Sequence, residues 1–262
     1  MNSSEHAIHK LYQYRKAIST RPYAARGKKL IRCEWCLLAQ TYCTCHSRQQ
    51  LVSNNAFLLI MYDDEVLKPS NSGRLIADLI PDTHAYIWSR TQANRKMLAL
   101  IHDPCYQPFV IFPCEYAYPD QTVVKTLEST HLDSTKKMLF IMLDGSWREA
   151  IKMFRKSPYL HELPLLSFAP ETVARYELRK GSRGFQLGTA EVAVLALAAS
   201  GEKRNAEALS IWFELFIASS MFSRSRQSNK DLSPLNKLSN EFKKKVGIKS
   251  RKSKPQKASM EG

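Results

Sequence analysis

No run of apolar residues in this 262-residue chain approaches the roughly 18 that a membrane-spanning helix needs. Its first thirty residues are polar and basic and lack an apolar leader segment, which leads to the expectation of a reducing, cytoplasmic setting. Net charge is missing from the middle of the chain. Residues 33–223 hold 19 Lys/Arg against 20 Asp/Glu, while residues 1–32 hold eight against one and residues 224–262 twelve against three. The excess of +15 therefore sits at the two ends. That distribution argues against a uniformly basic cleft and suits capture of a polyanion by terminal arms, although charged tails also serve solubility.

Several catalytic signatures are absent as well. There is no G-x-x-x-x-G-K-[ST] phosphate loop, and Gly181, Gly184 and Gly188 are too widely spaced for a G-x-G-x-x-G dinucleotide turn. Neither H-E-x-x-H nor G-x-S-x-G occurs. These gaps set aside the common nucleotide hydrolases, dinucleotide enzymes, zinc proteases and serine hydrolases. The seven histidines are scattered, and no internal repeat is visible.

What the chain does have is a cysteine cluster and a regular alternation. Cys33, Cys36, Cys43 and Cys45 follow the spacing C-x2-C-x6-C-x-C. Four thiolates close a tetrahedral shell, so the expectation is a structural zinc whose binding energy folds a loop too small to have its own core. His46 is an alternative ligand to Cys45. Cys105 and Cys114 are expected to be packed bystanders. Apolar runs at 56–61, 85–88, 109–112, 138–143 and 165–168 predict short buried strands. Helical patterns are expected at 73–80, 94–102, 122–131 and 147–156, with a buried helix at 191–200 and a last one at 206–222. Strand–helix alternation predicts an α/β fold with a mainly parallel sheet and helices on both faces. The expected organisation is a basic, loosely ordered arm over 1–31, the zinc-binding segment over 32–50, the main domain over 51–222 and a disordered basic tail over 223–262.

Asp144-Gly145-Ser146-Trp147 follows the apolar run 138–143 directly. A strand thus delivers a carboxylate to its C-terminal end, where open α/β sheets build their sites. Gly145 permits a tight or left-handed turn. Ser146 and Glu149 form an S-x-x-E capping box that starts the next helix. Asp-Gly turns are common, and a tryptophan at a helix start is often core, so the tetrapeptide alone is a weak signal.

It is not alone. The stretch from Leu143 through Asp144-Gly145-Ser146-Trp147-Arg148-Glu149-Ala150 to Lys152-Met153 resembles the signature of the DTW-domain family, the tRNA-uridine aminocarboxypropyltransferases. Glu65 with Pro69-Ser70-Asn71-Ser72-Gly73-Arg74-Leu75 is similar to the family's P-x-N-T-G-R-L segment. Ile111-Phe112-Pro113, Tyr176-Glu177-Leu178-Arg179 and Thr189-Ala190-Glu191 resemble three further segments, and the cysteine cluster matches the family's own. Ser146 and Ser72 stand where threonine is usual, Tyr62 where histidine is expected, and Val192 where alanine usually follows the glutamate.

The resemblance implies a SPOUT-like, knotted fold. It also implies transfer of the 3-amino-3-carboxypropyl group of S-adenosylmethionine to N3 of a uridine in tRNA, in the variable loop, releasing 5′-methylthioadenosine. On this reading Asp144 is the base or the group that orients uracil, with contact to the cofactor, for instance its amino group, or a purely structural role as the alternatives. Trp147 stacks on a base, or simply packs. Asn71, Ser72, Ser146, Tyr176, Arg179, Thr189 and Glu191 are the candidate contacts to cofactor or substrate. The four cysteines hold zinc, tRNA is the partner, and neither a membrane nor an obligate protein partner is expected. The rival readings are an S-adenosylmethionine-dependent RNA methyltransferase and a non-catalytic zinc-containing RNA-binding protein.

Overall fold

The computed structural model describes residues 5–21, 23, 30–127, 133–169, 187–224 and 231–247. Six strands run parallel in one sheet: β1 (Asn55–Met61), β2 (Thr83–Ile87), β3 (Tyr106–Ile111), β4 (Val123–Val124), β5 (Lys137–Asp144) and β6 (Leu165–Leu166). Their order is β2-β1-β5-β3-β6-β4. Every residue of β1 is buried, as expected of a parallel strand covered on both faces. Successive side chains go to opposite sides. Phe57, Leu59, Met61, Phe140 and Met142 join one core, and Leu58, Ile60, Leu139 and Ile141 the other.

The helices are α1 (Ala7–Ala17), α2 (Gly73–Leu79), α3 (Arg95–Ile101), α4 (Trp147–Arg155), α5 (Thr189–Ala199), α6 (Lys203–Arg224) and α7 (Ser233–Val246). Apolar residues of α2, α5, α6 and α7 fill the first core, and those of α3 and α4 the second. The α/β architecture with a parallel sheet covered on both faces is thus as expected. The expected knot depends on the path from β6 to α5, which includes residues 170–186 and lies outside the described residues.

Four expectations need correction. The helix predicted over 122–131 is replaced at its start by β4, which pairs with β6. Two consecutive valines are stiff at χ1 and fit a pleated surface better than a helix. Residues 128–131 lie outside the described residues. Cys105 and Cys114 are exposed, not packed.

The third correction concerns the N-terminal arm. Helix α1 is docked: Ile8 and His9 are buried, and His6 Nε2 lies 3.2 Å from Asp78 Oδ1. Asp78, on α2, also receives Arg48 Nη1 at 3.3 Å and the Trp212 indole N–H at 3.1 Å. Burial pushes its carboxyl up, but His6, Arg48 and Trp212 outweigh that and hold it below the usual carboxylate range. Burial draws His9 down to about 3, so it sits neutral against Trp35. At the far end of α1, Arg15 pairs with Asp63 at 2.7 Å.

The fourth correction is the C-terminal tail. Charge dominates its composition, which hides an apolar stripe at Leu235, Leu238, Phe242 and Val246, spaced three, four and four. That stripe packs on the first core, with Phe242 fully buried and its ring 4.8 Å from that of Trp212. Ser239 Oγ lies 3.0 Å from Ser47 Oγ, and Arg204 donates to the carbonyl of Lys245 at the last turn of α7.

Truncating a buried phenylalanine costs about 3–5 kcal/mol through lost transfer energy and the cavity left behind. Phe242→Ala is therefore expected to lower the free energy of unfolding by an amount in that range, seen as a lower urea midpoint at unchanged slope. An unchanged midpoint would mean that α7 does not pack on the core.

Candidate active site and metal centre

Parallel strands end together, so one edge of the sheet collects their C-terminal residues. Met61 and Asp144 stand opposite each other in the register of the paired strands β1 and β5. Period-two alternation then fixes the side: Asp144 continues the row Phe140, Met142 and faces the layer of α2 and α5. It is 3% exposed.

A carboxylate this deep needs partners, and both oxygens have one. Asn71 Nδ2 donates to Oδ2 at 2.7 Å, and Thr189 Oγ1 donates to Oδ1 at 2.6 Å. Asn71 lies just before α2 and Thr189 is the first residue of α5, so two helix starts converge on the end of β5. Ser72 adds a tie between them by accepting from the Ala190 N–H at 3.3 Å. Gly73 has to be glycine: a Cβ there would run into Asp144 Oδ2.

Burial pushes the Asp144 carboxyl up, and the nearby charge of Glu65 adds to it. The hydrogen bonds from Thr189 and Asn71 oppose both, leaving a pKa of about 6. Asn71 Nδ2 also reaches Glu65 Oε1 at 3.3 Å, and Glu65 pairs with Lys68 at 2.7 Å. One amide therefore bridges two carboxylates. An acid with a pKa near neutrality, held by two fixed donors, is suited to accept a proton from a group that reaches it.

The structure brings together Asp144, Asn71, Ser72 and Thr189 from the expected set. Glu191 is close behind: its Oε2 accepts the Gly188 N–H at 2.8 Å and so caps α5. Ser146 is exposed, and its N–H and hydroxyl both donate to Glu149 Oε2, which is the expected capping box. Trp147 belongs to the other layer, stacked on Phe112 at 5.4 Å and edge-on to Tyr116 at 5.6 Å. Its described contacts are those of packing. Gly145 is not left-handed; glycine is needed because a Cβ would stand 3.2 Å from both Tyr62 Cβ and Glu149 Cβ. Tyr176 and Arg179 lie outside the described residues.

Sequence reasoning gave no role to Glu65 or Gly73, although both stand in the quoted motif. The spacing of Glu65, Asn71 and Gly73 around one turn was the available signal. Tyr62, Trp88 and Lys152 were also missed as a group. The Tyr62 and Trp88 rings stack at 5.9 Å, and Lys152 Nζ lies over both while donating to Tyr62 Oη at 3.1 Å.

The four cysteines form the second site. Their sulfurs all lie within 4.8 Å of one another, with Cys33–Cys45 and Cys36–Cys43 each at 3.8 Å. Four Zn–S bonds of ~2.3 Å in a tetrahedron put sulfurs ~3.8 Å apart, so the cluster fits a metal ion such as zinc. Leu37 sits between the two pairs at φ 58°, a left-handed conformation that costs a side-chain-bearing residue about 1–2 kcal/mol. Closing the knuckle around a metal is a reason to hold it there. Contact with Cys36 draws Cys43 down to about 2, while contact with Cys43 pushes Cys36 up to about 12 and Cys45 is pushed up as well. Without a cation, the four sulfurs cannot share four negative charges. His46 is exposed at the rim.

Two measurements bear on these sites. Asp144 has a folded pKa of about 6 against an ordinary 3.8, so the folded state holds the proton more tightly. Its contribution to stability is then present below pH ~4 and lost as pH rises towards 6. Native stability relative to Asp144→Asn is expected to fall across that window in urea titrations, and a flat difference would contradict the assignment. Elemental analysis should find one zinc per chain, lost in Cys36→Ser, whose unfolding temperature should no longer respond to chelator.

Among the described residues no helix is long and apolar enough to cross a membrane. No solved structure matches the chain. The DTW-domain profile matches residues 30–221, a span that takes in the cysteine knuckle, all six strands and every described residue around Asp144. With more than half its length matched in this way, the chain belongs to the DTW-domain family.

Proposed function

We propose that this protein transfers the 3-amino-3-carboxypropyl group of S-adenosylmethionine to N3 of a uridine in tRNA, with Asp144 as the base. The observation that carries the reading is the buried Asp144 carboxyl, held by Asn71 and Thr189 at the strand ends with its pKa raised to about 6. Membership of the DTW-domain family is consistent with tRNA modification.

The N3–H of uracil is a weak acid, and a base poised near neutrality both accepts its proton and remains largely ionised at pH 7. S-adenosylmethionine supplies an electrophilic γ-carbon and a sulfur that leaves without further activation. In balance, the N3 proton passes to Asp144. The N3 lone pair forms the new N–C bond, the C–S pair departs with 5′-methylthioadenosine, and the proton returns to solvent. The residues around Asp144 supply alignment: Asn71 and Thr189 fix the carboxylate plane, and the absence of a Cβ at Gly73 leaves room for Oδ2 where Asn71 holds it. The four cysteines, with no open ligand position, take a structural role beside this chemistry.

Purified protein, unmodified tRNA transcript and S-adenosylmethionine labelled in the carboxyl group or in the methyl group test the reading. Carboxyl label is expected in the tRNA and methyl label in methylthioadenosine, with transfer lost in Asp144→Asn while tRNA binding is kept. Methyl label in the tRNA would replace the reading with methyl transfer. Full activity of Asp144→Asn would remove the base from that residue.

A further inference from the structure

Helix α4 starts three residues after Asp144 and is strongly two-sided. Ala150, Met153 and Phe154 are buried in the second core. Arg148, Lys152, Arg155 and the capping Lys156 are exposed, at a spacing of four, three and one that puts them along one face. Ten residues, 147–156, thus carry four cations and one acid, in a stretch of chain (33–223) whose net charge is −1. The one acid, Glu149, is occupied by the N–H and hydroxyl of Ser146.

Elsewhere in the domain cations meet carboxylates: Arg48 with Asp78, Lys68 with Glu65, Lys137 with Asp82. None of the four on α4 makes an ion pair among the described residues. Aromatic rings flank them instead. Lys152 lies over Tyr62 and Trp88, and the Arg155 guanidinium lies 6.0 Å from the Tyr116 ring centre. Tyr118, 38% exposed, stacks on His161 at 3.6 Å and reaches the carbonyl of Arg155.

Unpaired cations in a row neutralise a row of phosphates, and rings interleaved with them offer faces on which bases stack. An anionic membrane can use both charges and interfacial rings, so it is the alternative that the test separates. We propose that the exposed face of α4, with Arg148, Lys152, Arg155 and Lys156, is the surface along which the RNA backbone lies while its base is presented to Asp144. The inference rests on the reading of the protein as an RNA-modifying enzyme, and it moves the principal RNA contact from the basic chain ends to the folded domain.

The test is the triple variant Arg148→Gln, Arg155→Gln, Lys156→Gln. Lys152 is left in place because it bonds to Tyr62. Binding of an unmodified tRNA transcript is followed by anisotropy from 50 to 200 mM salt, with thermal unfolding as the check on folding. Each phosphate contact contributes about 0.7–0.9 to the slope of log K against log salt, so the slope should flatten by about 2–3 and affinity at 50 mM should fall at least tenfold. The control removes three cations from α7, Lys237→Gln, Lys243→Gln and Lys244→Gln, and should change the slope less.

Equal losses in the two variants would mean general attraction to a basic protein and would overturn the proposal, as would an unchanged slope in the α4 variant. Anionic phosphatidylserine vesicles competing with tRNA for the α4 face would reassign it to a membrane. The reading of the reaction fails separately. If α4 governs tRNA binding but no carboxyl label is transferred, the surface stands and the reaction does not. If label is transferred with α4 neutralised and the slope intact, the reaction stands and the surface does not.

Discussion

A carboxylate taken out of water has to be surrounded, and most of the local architecture follows from surrounding Asp144. Its charge is buried on the sheet face that packs α2 and α5, so both helices must begin there and each must present a donor. Asn71 and Thr189 do so from the last loop residues and the first helical residue, where backbone direction is changing and side chains converge. The space left is so small that α2 has to open with a glycine. Hydrogen bonding offsets only part of the burial cost, and what remains appears as the raised affinity of Asp144 for a proton. The stability of the folded state and the proton affinity of Asp144 are thus linked at this position.

Helix α2 carries the side chain that ties the two sites together. Arg74 follows Gly73 and is 2% exposed, with its guanidinium donating to the carbonyls of Trp35, Val66 and Lys68. Trp35 lies inside the cysteine knuckle, and Val66 and Lys68 lie in the turn that carries Glu65. One side chain therefore joins the metal centre to the loop that frames Asp144. Burial lowers the Arg74 pKa, while the charges of Asp78, Cys36 and Asp144 act to raise it. Through Arg74 the knuckle is hydrogen-bonded to the loop that frames Asp144.

Much of this was legible in advance, for reasons that differ from element to element. The strands read correctly because a parallel sheet buried on both faces demands unbroken apolar runs, and β1 and β5 supply them. The capping box at Ser146 is local chemistry, complete within four residues. The cysteine cluster was legible because four thiols within thirteen residues suit one tetrahedral shell, and their sulfurs do lie close enough together to hold a metal ion such as zinc. Asp144 and its donors came partly from position at a strand end and partly from family resemblance. What failed were features decided by distant partners. Helix α7 looked like a charged tail because its four apolar residues matter only once Trp212 is beside them. Helix α1 looked like a loose arm because His6 is unremarkable until Asp78, seventy-two residues on, is placed against it. Trp147 drew attention as an aromatic near the acid, with packing as the alternative; as the first residue of α4 it goes with that helix into the opposite layer.

The cluster at Asp78 has a kinetic side. Its contacts span 72 residues to His6, 30 to Arg48 and 134 to Trp212. Closing such wide loops orders much chain before any contact rewards it, which slows folding in proportion to topology. During synthesis, α1 emerges before α2 and has no acid to meet until α2 has been made, and Asp78 lacks its indole until α6 follows. The first helix therefore waits with Ile8 and its apolar side open. In that interval a growing chain exposes apolar surface that the finished protein keeps covered.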